Sequence, residues 1–62
     1  MDFSVIDRGA VMLIAPTNKV ARAHLVSHID PDANWWGDSL VVEPPFMPNL
    51  VSELQDKGFI VN

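Results

Sequence analysis

Ala10-Val11-Met12-Leu13-Ile14-Ala15-Pro16-Thr17-Asn18 is the stretch on which the reading of this chain turns. Its unbroken apolar run is short for a helix and fits a central strand covered on both faces. Pro16 ends the run, because proline has no N–H to give a ladder. Thr17 or Asn18 then caps a helix, its side-chain oxygen accepting from an orphan backbone N–H.

Upstream, Phe3-Ser4-Val5-Ile6 is a second strand-like run, and Asp7-Arg8-Gly9 supplies a hairpin connection. Residues 1–11 therefore read as an extra N-terminal strand, or as an arm that swaps to a neighbouring copy. Downstream, a helix is expected over Asn18 to Ile29, with Ala21, Leu25 and Ile29 on one face and Val20, His24 and His28 beside it. Asp30-Pro31-Asp32 ends that helix, since proline disfavours helical backbone at the residue before it.

Residues 30–38 read as a loop holding Trp35-Trp36-Gly37-Asp38, and Ser39-Leu40-Val41-Val42-Glu43 as a β-branched strand. Pro44-Pro45 stops that strand. Met47, Leu50, Val51 and Leu54 then recur at helical spacing. Gly58 is placed to end the second helix, with Phe59 reaching back to Leu54, and Phe59-Ile60-Val61 forms a last strand. The order (β)β-α-β-α-β predicts one α/β domain over 1–62, a largely parallel sheet of three or four strands with two helices and right-handed crossovers.

The chain has 62 residues, no cysteine, and eight acidic residues against four basic ones, a formal charge of −4. Disulfides, thiolate metal sites and cysteine nucleophiles are excluded. Arg8, Lys19, Arg22 and Lys57 are scattered, so direct nucleic-acid binding is not expected, because displacing counterions from phosphates takes clustered cations. The Met1 end carries Asp2, Asp7 and Arg8 rather than a signal-peptide pattern, and Ala10 to Pro16 is far too short to cross a bilayer. The expectation is a cytoplasmic protein with no membrane contact. Apolar residues make up 48% of the chain, high for one small core, which predicts burial against a partner and a homodimer.

Leu13-Ile14-Ala15-Pro16-Thr17-Asn18, Leu40-Val41-Val42-Glu43-Pro44, and Leu50-Val51 through Gly58-Phe59-Ile60-Val61 together resemble short uncharacterised open reading frames of phages and mobile elements. The resemblance runs from Met12 onward and rests on apolar, structural motifs. It implies a genomic setting and carries no catalytic residue.

Three groups of residues are candidates for chemistry. Trp35 and Trp36 are adjacent, so extended backbone sends the rings to opposite sides. One then caps the core while the other anchors a partner, unless both fold over the core. Phe46, within Glu43-Pro44-Pro45-Phe46-Met47-Pro48, joins them as a partner-binding candidate if that segment presents a polyproline-like surface; otherwise the prolines stiffen a strand-to-helix connection. His24 and His28, four apart on a helix, can hold a metal if Asp30 or Asp32 completes the shell, or can flank the apolar stripe. Glu43 is the best isolated carboxylate and has no visible partner for acid–base work. No cofactor is expected. These observations predict a non-enzymatic protein–protein interaction factor, an accessory or inhibitory protein that modulates a host protein; a small metal- or ligand-binding module using His24 and His28 is the alternative.

Overall fold

The computed structural model describes residues 1–29 and 32–62. The chain runs through β1 (Phe3–Asp7), β2 (Met12–Pro16), α1 (Lys19–His28), β3 (Trp35–Trp36), β4 (Ser39–Val42), a 3₁₀ turn (Pro44–Phe46) and α2 (Met47–Asp56). The four strands form one sheet in the order β1-β2-β4-β3. Every neighbouring pair is antiparallel. This overturns the largely parallel sheet expected from the alternation of strands and helices.

The reason is the Trp35-Trp36 segment, expected to be loop. α1 does carry the chain back over the sheet so that β3 runs in the same direction as β2, as a crossover should. β3 does not dock beside β2, however. Gly37-Asp38 forms a two-residue hairpin that folds β4 back into the gap between them, pairing Trp35 with Leu40 and Trp36 with Ser39. Gly37 has φ +61° and Asp38 a negative φ, the pattern of a type II′ turn, whose first position favours glycine. The second crossover, through α2, likewise overshoots β2 and β1. It lays the C-terminal residues along the outer edge of β1, where Phe3 and Val61 make a parallel bridge.

Local chemistry sets the other boundaries. Asn18 caps α1, its Oδ1 accepting from the Ala21 N–H at 2.8 Å. α2 ends in a Schellman motif: Phe59 N–H donates to Leu54 O at 3.1 Å and Gly58 N–H to Gln55 O at 3.0 Å, with Gly58 at φ +92°. The first hairpin closes at Asp7, which pairs with Met12 and accepts from the Gly9 N–H through Oδ1.

The core is a single layer between the helices and one face of the sheet. Phe3, Ile14, Leu40 and Val42 from the strands meet Ala21 and Leu25 of α1 and Met47 and Leu54 of α2. Phe3 is fully buried, so β1 contributes the largest side chain of the core. Both helices cover the same face. Being apolar throughout, β2 was expected to be covered on both sides, yet helices cover only one.

Candidate functional site

Side chains alternate along a strand, so each residue between two core residues points to the other face of the sheet. The register identifies that open face. Ile6, Leu13 and Val41 are direct cross-strand neighbours and form one row. Ser4 and Ala15 start a second row, which Ser39 and Trp36 continue. Ile60 precedes the core-facing Val61 at the C-terminal edge.

Leu13 is 4% exposed although no helix covers it. Ile6 and Val41 flank it within the sheet. Above them, the Arg8 guanidinium carbon lies 4.6 Å from the centroid of the Trp36 ring. Arg8 extends from the β1 end and Trp36 from β3, with β2 and β4 between, so their contact spans the open face diagonally. Stacking a guanidinium on an indole is favourable by about 0.5–1 kcal/mol at an exposed site. The pair partly replaces the missing second layer. Ile6 remains 40% exposed, Trp36 57% and Ile60 63%.

The two tryptophans part as adjacent residues in extended backbone should. Trp35 packs against the core cluster and Trp36 stands on the open face. Phe46 is exposed but lies past the opposite end of β4 from Trp36, in the 3₁₀ turn leading to α2. The three partner-binding candidates therefore do not share a surface. The turn, closed by Phe46 N–H to Glu43 O at 3.0 Å, is a compact strand-to-helix connection rather than an extended polyproline segment.

His24 and His28 stack, with centroids 4.1 Å apart and planes 24° apart, and His24 also contacts the Phe59 ring at 4.8 Å. His28 Nδ1 is 2.9 Å from both the His24 carbonyl and the Ser27 hydroxyl. Together with Glu53 and Lys57 they rim a groove of about 120 Å³ between α1 and α2, floored by Leu25 and Leu54. Burial, then the nearby His28 and Lys57 charges, hold the His24 imidazole below its ordinary pKa of 6.5. Of the carboxylates expected to complete a metal shell, Asp30 lies outside the described residues and Asp32 is exposed in a turn. Among the described residues no three His, Asp or Glu side chains gather to hold a metal ion.

Open-face residues other than Trp36 were not singled out in the sequence. Alternation marks two faces of every strand, but periodicity cannot say which face the helices choose. Among the described residues no helix is long and apolar enough to cross a membrane. The fold defines the class: a two-layer domain of four antiparallel strands and two helices, with one sheet face uncovered. No family model matches the chain, nor does any curated protein or solved structure.

Proposed function

We propose that this chain is a small non-enzymatic interaction protein that works as a homodimer, with the open face of the sheet as its contact surface. The observation that carries this reading is the group Ile6, Trp36 and Ile60, exposed around the buried Leu13 on the face opposite both helices. A sheet with one apolar face uncovered reaches a drier state when a second sheet packs on it, about 10 Å away. A second copy of the chain offers a sheet of matching width and twist.

Size sets the strength. By strand spacing and rise, the face measures roughly 20 Å by 13 Å. At roughly 260 Å² a side, that falls well below the ~800 Å² that each partner contributes to a standard interface, so self-association is weak and is to be sought from about 0.1 to 1 mM. Sedimentation equilibrium across that range should show the mass rising from one chain to two. Ile6→Lys should keep the fold by circular dichroism and remain monomeric. A wild-type chain that stays monomeric at millimolar concentration would overturn the reading, as would an Ile6→Lys variant that dimerises like wild type.

A further inference from the structure

We infer that the second copy docks about a twofold axis running along β2, so that Arg8 of each protomer meets the partner's Glu43. The inference rests on the dimeric reading above and follows from the order of the strands. Counting the C-terminal residues bridged to β1, the sheet has five positions: C-terminal segment, β1, β2, β4, β3. β2 is the middle one. A twofold axis along it, in the plane between two facing sheets, exchanges β1 with β4 and the C-terminal edge with β3.

The open-face side chains match under that exchange. Leu13 lies on the axis beneath the Arg8–Trp36 stack, so the stacks of the two copies meet over it. Ile6 and Val41 sit either side of Leu13 in one row, so each Ile6 meets the partner's Val41. Ile60 and Trp36 occupy the outer positions, Ile60 beside Asp2 and so one row further along the strands than Trp36. The exchange brings an exposed aliphatic side chain to the edge of an exposed ring. A closed twofold interface needs such a self-complementary patch, in which contact i to j is repeated as j to i.

Charge follows the same symmetry. Arg8 lies one residue beyond β1 and Glu43 one residue beyond β4, both at the end where Asp7, Met12 and Val42 align. Glu43 keeps extended backbone, φ −67° and ψ 138°, two residues after the open-face Val41. Among the described residues the one ion pair is Arg22–Asp38; neither Arg8 nor Glu43 belongs to it. A guanidinium stacked by its face on Trp36 keeps the N–H donors on its edge for a carboxylate. On a chain of net charge −4, two such cross-pairs also place opposite charges where two acidic copies meet.

A charge exchange and an isotope-filtered experiment test the geometry. Arg8→Glu and Glu43→Arg should each weaken dimerisation about tenfold or more by sedimentation, and the double variant should recover most of the loss. In a mixture of labelled and unlabelled wild-type chains, filtered nuclear Overhauser effects should link Ile6 to the partner's Val41 and Ile60 to the partner's Trp36. If the chain dimerises but those contacts map to the helices, or the double variant shows no recovery, the twofold along β2 is wrong while self-association stands. If the wild type remains monomeric at the concentration of the spectra, both fall.

Discussion

The Ile60 N–H donates to the Asp2 carboxylate at 2.8 Å, joining residues 58 positions apart in the chain. The other carboxylate oxygen accepts from Asn18 Nδ2 at 2.9 Å, while Asn18 Oδ1 caps α1. One side chain thus ties β1, the start of α1 and the C-terminal edge of the sheet. The Ile60 hydrogen bond, then that from Asn18, holds the Asp2 carboxyl below its ordinary pKa of 3.8.

A carboxyl with a depressed folded-state pKa stabilises the fold above 3.8, and the gain is lost as pH falls through the folded value. Asp2→Ala should therefore lower the melting temperature at neutral pH and speed hydrogen exchange at the Ile60 amide. Well below pH 3.8 the two proteins should converge. A difference that persists undiminished in acid would show that Asp2 acts by some means other than its charge.

His24 gives the chain a second pH dependence at milder acidity. Its folded pKa lies below 6.5, so the unfolded chain takes up the proton first as pH drops. Stability should decline as pH falls from 6.5 to the folded value, and this limb should vanish in His24→Gln. Lys57→Gln, by removing one repelling cation, should bring the His24 titration closer to 6.5 in a proton NMR titration.

Trp35 and Trp36 should respond unequally to truncation. Trp35→Ala removes a partly buried ring packed on the core, costing about 2–3 kcal/mol by urea denaturation. A 62-residue domain holds roughly 3–9 kcal/mol in total, so this variant is largely destabilised. Trp36→Ala forfeits the Arg8 stack and part of the cover over Leu13, about 1 kcal/mol. Equal costs would contradict the two-sided placement of the rings.

Gly37 is the hinge of the topology. Nothing lies within 4 Å of a Cβ built there, so the cost of a side chain is backbone strain at φ +61°. Gly37→Ala should destabilise by about 1–2 kcal/mol. A synthetic chain with D-alanine at 37, whose mirror-image preference suits positive φ, should match or exceed the wild type. If the L and D forms are equally stable, the hairpin does not depend on that conformation.

Much of the local structure was legible in the residues. Asn18 before α1 and Gly58 after α2 act through interactions a few residues long, and such signals need no knowledge of the fold. Trp36-Gly37-Asp38-Ser39 was legible too, since Gly-Asp between two pairing residues is a hairpin signal. Reading it as loop cost the direction of β4, and with it the sheet. The candidate site was legible only through Trp35-Trp36, where adjacency in extended backbone separates the rings.

Sequence alone determined both helices and the strands β1, β2 and β4 to within a residue or two, and that the apolar content is high for one small core, because propensity, capping and composition are local or additive. It did not determine β3, nor the Phe59–Val61 segment, which makes a single bridge at Val61. Tertiary structure alone decided that β4 slots between β2 and β3, that both helices share one face, and that Ile6, Leu13, Val41, Trp36 and Ile60 align on the other. Those are choices among whole-chain arrangements in which each strand presents the same alternation. They are settled by which packing buries Phe3, Ile14 and Leu25 together, contacts between residues far apart in the chain that no local pattern records.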